Sequence, residues 1–520
     1  MQSSVIAERY AQLLRNLCKR YPSLINLEEL LPNTKLNLGY IRNCRVRMID
    51  VGLPVHQVSQ FDDDPDLLLA HLKQTEAAGA VHQRIYVLEN LTLAHIALFG
   101  TFFDIDPCIF ASQIRTANWE EKPTKNNTPK LLSSRNPARS FSLRYNELRL
   151  FQDPLSNRLM DIHAGRRITS TRLRRVFANV GLVKKCATFW CREMLNSWDG
   201  MLHRVTIVYR VVLILIDPPV THCLPDALYR ESSGGAPVFV NEPYQGGYQD
   251  FTLWSEVGIE NQSLGASMVP PPGPPRTSTL DDIVYYLSAS MPLPEHPSMT
   301  PQVAATILKK FVLSHWVAHI EYTKSLLNSI EAAMAKQHGS DLAWLETQLT
   351  DLFRWSRRLS SYCEQTETAL DNLGLLSQSY YGAVPSTSLS GSNCDDDFHY
   401  VHRRMQNMKN RAIDLISTVN GLIGTLEVKQ TIKLTESSQK VATRSEELAN
   451  RSLGEARTVR ALTILGIIFV PLSTVASIFS IQGNYGPGQP QFWVYWVIAI
   501  PVVCFVLSGI TSLGSLANIR

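Results

Sequence analysis

Apolar residues follow three rhythms along this chain. Toward the C-terminus they run together: from Ala461 to Ile519 there is no Asp, Glu, Lys or Arg. Ala461–Ile481 is a first uncharged run of 21 residues, and Phe492–Leu513 a second of 22. As helices, both are long enough to cross a hydrocarbon core of about 30 Å. The intervening QGNYGPGQPQ is too rich in Gly and Pro to continue a helix. Tyr485, Phe492, Trp493, Tyr495 and Trp496 gather at that end, as an interfacial aromatic belt does. The pattern predicts two transmembrane helices, with 482–491 as the loop between them and 514–520 as a short tail. Arg451, Arg457 and Arg460 before the first span, Arg520 after the second and an uncharged loop place both termini in the cytosol and the loop outside.

The second rhythm is helical. From about Tyr400 to Ile481 there is no proline until Pro471, so residues 399–460 predict a long stalk helix that runs into the first span. Leu434, Val441, Leu448 and Leu462 keep a seven-residue period, interrupted by Glu455. Ser438, Ser445, Ser452 and Val459 keep a companion seam, and Ala442, Ala449 and Ala456 repeat likewise. A coiled coil this rich in Ser and Ala suits a wide oligomer whose helices approach closely or line a wet cavity. Residues 301–373 predict an antiparallel helical pair that opens at Pro301 and divides near Gly339. Residues 374–398, with Pro385, Gly391 and Asp395-Asp396-Asp397, read as a polar loop.

The third rhythm is that of strands. Arg84–Glu89 and Arg204–Asp217 are rich in β-branched and aromatic residues, and Pro218-Pro219 ends the second. Residues 80–300 therefore predict a cytosolic α/β (or α+β) domain, with Val269–Pro275 as a linker or exposed loop. Residues 1–79 mix short helical patterns with breakers and read as an N-terminal extension.

Composition narrows the function. A net charge of +4 on 520 residues gives no reason to expect nucleic acid as a partner. Nine scattered cysteines with no zinc-type spacing suggest reduced thiols in a cytosolic compartment. The first residues lack the apolar core of a secretory signal, and with no organelle signal evident plasma membrane is the default location. No P-loop, nucleophile elbow or metalloprotease helix is present, His315 beside Trp316 reads as a packed histidine, and no enzyme or tightly bound cofactor is expected.

Followed into the first span, the companion seam reaches Gly466, Ser473 and Ser480, with Leu462, Val470, Ser477 and Asn484 interleaved. Such a stripe permits close helix packing or a hydrated lining. Magnesium dehydrates reluctantly, so a lining of hydroxyls, amides and carbonyls without carboxylates suits a hydrated divalent ion. Pro471 removes one backbone hydrogen bond and is a site for a kink.

These residues bring a family into view. A long helix entering a first span, a short loop and a second span resembles the CorA-type metal-ion transporters. The likeness is carried by Leu462-Thr463-Ile464, Phe469-Val470-Pro471-Leu472-Ser473 and Ala476-Ser477-Ile478-Phe479. Phe103-Asp104-Ile105-Asp106-Pro107, Phe141-Ser142-Leu143-Arg144-Tyr145 and Ser314-His315-Trp316 look like a divergent branch associated with fungi. The resemblance implies a homopentamer in a lipid bilayer with the first spans around a central pore. Leu462, Gly466, Val470, Ser473 and Ser477 would line it, and Mg2+ or another divalent cation would be the transported ion. The family's Gly-Met-Asn signature falls on Ser480-Ile481-Gln482, with Asn484 as a further mouth amide. Family members sense cytosolic metal through interface carboxylates. Here Asp395, Asp396 and Asp397, or Glu364, Glu367 and Asp371 on one helical face, are the candidates. The competing expectation is a membrane-anchored scaffold or sensor that keeps the architecture without conducting.

Overall fold

The computed structural model describes residues 2–31, 43–51, 57–77, 83–114, 131, 134–152, 155, 159–161, 166–171, 179–200, 203–221, 223–225, 240–244, 278–288, 300–337, 341–376, 394–480 and 483–517. They divide into two units, Met1–Leu422 and Ile423–Arg520.

In the first unit, α1 (Ser3–Arg20) and a 3-10 turn (Pro22–Leu30) lead to β1 (Arg45–Val51) and β2 (Gln57–Gln60). Then come α2 (Pro65–Ala77), β3 (Gln83–Glu89), α3 (Leu93–Phe102) and α4 (Pro107–Gln113). The strands β4 (Ser140–Phe151), β5 (Leu159–Asp161), β6 (Arg166–Ser170), β7 (Val180–Gly200), β8 (His203–Ile216), β9 (Cys223–Pro225) and β10 (Asn241–Pro243) follow. The sheet runs β2-β1-β3-β8-β7-β6-β5-β9, with β4 also paired to β7 and β10 to β4. The two strand-like runs of the sequence are β3 and β8, which lie side by side as a parallel pair, Gln83 opposite Arg210 and Glu89 opposite Ile216.

The described residues among 1–79 do not form a separate extension. The helical spacing of Ile6, Tyr10, Leu14 and Cys18 gives α1 an apolar stripe, and that stripe joins Val46, Met48, Tyr86, Leu88, Phe99, Leu213 and Leu215 in one core. β1 pairs along its whole length with β3. Segments with a hydrophobic face this long need a partner, and the sheet supplies it. Gly100 admits α1: a Cβ there would stand 2.5 Å from the Tyr10 hydroxyl.

Charge is buried in this sheet where it is paired. The Arg166 guanidinium grips Asp217 through Nε to Oδ2 at 2.9 Å and Nη2 to Oδ1 at 3.0 Å. Gln113 Nε2 and the Cys186 amide donate to the same carboxylate at 2.9 and 2.8 Å. The pairing answers the desolvation cost of two ions out of water.

Further helices of this unit are α5 (Thr279–Ser288), α6 (Pro301–Gln337) and α7 (Leu342–Asn372). His319 of α6 and Tyr362 of α7 are in ring contact at 4.5 Å. The contact lies about as far before the end of α6 as after the start of α7, so the two helices run antiparallel. The short motifs acquire structural roles here. Asp106 caps α4 by accepting the Cys108 amide at 2.9 Å, with Pro107 in the first turn. Tyr145 of β4 stacks on His315 of α6 with centroids 5.0 Å apart, so His315 is buried among rings.

The helix α8 spans Cys394–Ser480 without a break. It begins inside the segment expected to be a polar loop, so Asp395, Asp396 and Asp397 form its first turn, where carboxylates complement the free amides and the helix dipole. Residues 377–393 of that expected loop lie outside the described residues.

The second unit holds the remainder of α8 and α9 (Trp493–Ala517), joined by turns through 483–492.

Candidate functional site

Among the described residues one helix, α8, contains a stretch long and apolar enough to cross a membrane, and nearly all of that stretch is uncovered by the rest of the chain. α9 is a second apolar helix of 25 residues and contains Pro501. Uncovered apolar surface of this extent marks contact with lipid or with protein.

The two helices meet along one side of each. On α8 Ile468, Pro471, Leu472, Val475 and Phe479 are covered, at a spacing of three and four that defines a face; Gly466 and Ile467, just before them, are half-buried as well. On α9 they include Tyr495, Ala499, Val503 and Val506. Phe479 touches the rings of both Tyr485 and Tyr495, at 5.3 and 6.4 Å, and Tyr495 stacks on Phe492 at 6.0 Å. The aromatic belt is thus an interlocked cluster at one end of the pair.

The predicted path residues lie on the other side. At about 100° per residue, Leu462, Gly466, Val470, Ser473, Ser477 and Ser480 fall within about 60° of the line opposite the α9 contact. Val470 and Leu462 are 64% and 69% exposed, Ser473, Ser477 and Ser480 are exposed, and Gly466 has open space where a Cβ would stand. Packing within the hairpin therefore does not account for the stripe. The seam below continues the same line: Leu434, Ser438, Val441, Ser445, Leu448, Ser452 and Val459 are all exposed. Asn484 is exposed in the connecting turn, while Ile481 and Gln482, the other two mouth residues, lie outside the described residues.

The hydroxyls have a defined sense. Ser473 Oγ donates to the Val470 carbonyl at 2.9 Å, and Thr474 Oγ1 donates to the same oxygen at 2.7 Å. With its proton spent on the helix, Ser473 presents oxygen lone pairs outward. Oxygen acceptors of this kind match the water shell of a cation.

Glu455, which interrupts the heptad of the sequence, lies on the stripe itself. It is exposed, and it is the one acidic residue at a stripe position between Leu434 and Asn484, with Arg444 at the stripe's margin. Its spacing carries the signal: Glu455 follows Ser452 by three residues and precedes Val459 by four.

The candidate sensing carboxylates do not converge within one chain. Lys309 Nζ donates to Asp395 at 2.7 Å, whereas Asp396 and Asp397 are exposed. Glu364 and Glu367 are exposed and Asp371 half-buried on α7. Among the described residues no three His, Cys, Asp or Glu side chains come together as a metal site. One neighbour has no signature in the sequence. His402 of α8 bonds Thr366 Oγ1 at 2.8 Å and lies near Glu367; burial lowers its pKa, with Glu367 opposing and His399 assisting.

No family model matches the sequence, and no curated protein matches it. Among solved structures, the chain is similar to the CorA magnesium transporter from Methanocaldococcus jannaschii, with 8% sequence identity, a TM-score of 0.31, and coverage of 89% of this chain and 96% of that one.

Proposed function

We propose that several copies of this chain assemble in a membrane and conduct hydrated divalent cations, Mg2+ or a similar ion, along a path lined by the first span. The observation that carries this reading is the direction of the stripe. Small and hydroxyl-bearing residues of α8 face away from α9, in line with an exposed seam that continues for some thirty residues below. Lipid offers no donor to oxygen lone pairs that face outward, so a polar line opposite the hairpin contact suits a wet axis shared between copies. α8 and α9 would both cross the bilayer, with Arg451, Arg457 and Arg460 on the cytosolic side of the plasma membrane. Five copies is the number that the sequence resemblance to CorA-type transporters implies.

In this reading Val470 narrows the path, Ser473 and Ser477 contact the ion's water shell, and Ser480, Ile481, Gln482 and Asn484 form the outer mouth. The protein does not strip the ion. It replaces outer-shell hydrogen bonds, which avoids the dehydration that magnesium resists. The test is uptake of Mg2+, Co2+, Ni2+ or Zn2+ by liposomes carrying the purified full chain, under an inside-negative potential. Uptake of at least one, scaling with protein content, is expected; uptake of none overturns the reading.

One observation favours the second reading, a scaffold or sensor that does not conduct. The loop from 482 to 491 carries no acidic residue to draw cations to the mouth, and Ser480-Ile481-Gln482 stands where the resembling family has Gly-Met-Asn. Ser480→Gly, Ile481→Met and Gln482→Asn together decide between the two: transport that appears only in the triple variant supports the scaffold.

A further inference from the structure

The turn of α8 that carries Val470 and Ser473 is the least securely bonded part of the span. Pro471 has no amide proton, so the Ile467 carbonyl loses the partner it would have in an unbroken helix. The Val470 carbonyl, one residue before the proline, takes up the hydroxyls of Ser473 and Thr474. A helix short of a bond at one turn bends or rotates there more readily than elsewhere.

α9 reaches across to this turn. The Tyr495 hydroxyl donates to the Leu472 carbonyl at 3.3 Å, immediately after the proline and on the side away from the stripe. The ring is held on three sides: Phe492 stacks on it at 6.0 Å, Trp496 meets it edge-on at 5.2 Å and Phe479 lies at 6.4 Å. A phenol packed so firmly and bonded to a neighbour's backbone fixes the rotation of that turn about the helix axis. The bond is additional to the helix's own: the Leu472 carbonyl keeps the Ala476 amide as a helical partner, so removing the phenol proton leaves no stranded acceptor.

We infer that Tyr495 is a positioning residue for the ion path, its hydroxyl setting the direction in which Val470 and Ser473 face. This rests on the transport reading above. Tyr495 touches no ion; it acts through the backbone of α8.

The experiment uses the full chain with Cys504→Ser and Ser473→Cys, reconstituted in liposomes. The rate at which a cationic, membrane-impermeant thiosulfonate modifies position 473 is compared with and without Tyr495→Phe, after subtracting the labelling of the same chain with Ser473 intact. Divalent-cation uptake is measured in parallel on the chain with Ser473 intact. Tyr495→Phe should slow modification at least fivefold and lower uptake, while the melting temperature and oligomer size stay unchanged. Trp496→Phe, which removes a ring contact without touching the hydrogen bond, should leave the modification rate as it was. Placing 4-aminophenylalanine at 495, which keeps a donor at the same reach, should restore the rate, and it serves as the deciding comparison if the phenylalanine variant folds poorly. Equal modification rates with and without Tyr495→Phe, in a protein that conducts, overturn the inference alone. A parent that takes up no cation and never reacts at 473 overturns the transport reading and the inference together.

Discussion

The imidazole of His319 meets the ring of Tyr362 at 77° with centroids 4.5 Å apart, and among the described residues no charged group acts on it. Trp316, its other ring neighbour, stacks at 5.7 Å. His319 is fully buried, and burial alone pushes its pKa down to about 3, from an ordinary value near 6.5. The folded chain therefore holds the ring neutral where the unfolded chain takes up a proton. Stability from this group is complete above pH ~6.5 and falls as pH drops from there toward 3, by up to about 1.4 kcal/mol per pH unit. Urea unfolding followed by tryptophan fluorescence between pH 4.5 and 7.5 should show this loss, and His319→Phe should flatten that part of the profile. An unaltered profile in the variant would contradict the assignment.

Gly100 and Tyr10 make a second, purely steric relationship. Any Cβ at 100 would stand 2.5 Å from the Tyr10 hydroxyl and 2.8 Å from its ring carbon. Gly100→Ala should cost about 1–3 kcal/mol, the range for overpacking a filled core. Tyr10→Phe, which removes the nearest atom, should recover part of that loss. A double-mutant cycle of urea midpoints measures the coupling, and additive costs would show that α1 moves freely instead.

Asp217 holds together three elements through Arg166, Gln113 and the Cys186 amide. Asp217→Ala takes from a buried guanidinium the carboxylate it grips with two nitrogens, leaving Asp161 as the other carboxylate acting on it, and should cost about 3–5 kcal/mol. Loss of soluble expression of residues 1–422, or a large fall in melting temperature of the full chain, is the expected readout. A midpoint within about 0.5 kcal/mol of the parent, as for an ordinary surface change, would be incompatible with the network described.

Glu455 is the lone acidic side chain at a stripe position between Leu434 and Asn484. If copies converge on the stripe, its carboxylates ring the path and raise the local cation concentration. Glu455→Gln should reduce divalent uptake several-fold, with the deficit smaller at high ionic strength. Glu446→Gln, on an exposed position off the stripe, should have no effect on uptake. Equal uptake in all three proteins would separate Glu455 from the path.

What the sequence disclosed depended on whether the signal was local. β3 and β8 were readable because their β-branched runs are a property of each segment. That they are parallel neighbours was not, since register is decided by residues more than a hundred positions apart. β4 resisted reading because Arg144, Asn146, Glu147 and Arg149 interrupt its apolar positions. In the sheet, Arg149 and Lys185 answer Glu147, at 3.0 and 3.9 Å. The three aspartates before Phe398 read as loop because polar clusters usually do, although acidic residues ahead of a helical pattern also signal a helix start. The stripe on the first span was legible by its period. Its direction relative to α9 was not, because in a segment with no charge every apolar face looks equally ready to receive a partner.

The parallel pairing of β3 with β8 sets an order of events during synthesis. Arg84 finds its place beside Val211 only after a further 127 residues have been made (211 minus 84). Until then, β1 and β3 with the helices packed on them expose an open strand edge, the kind of surface on which nascent chains aggregate. Closing so long a loop is slow. Maturation of this protein should therefore depend on chaperone capacity early in translation, well before any membrane segment emerges from the ribosome.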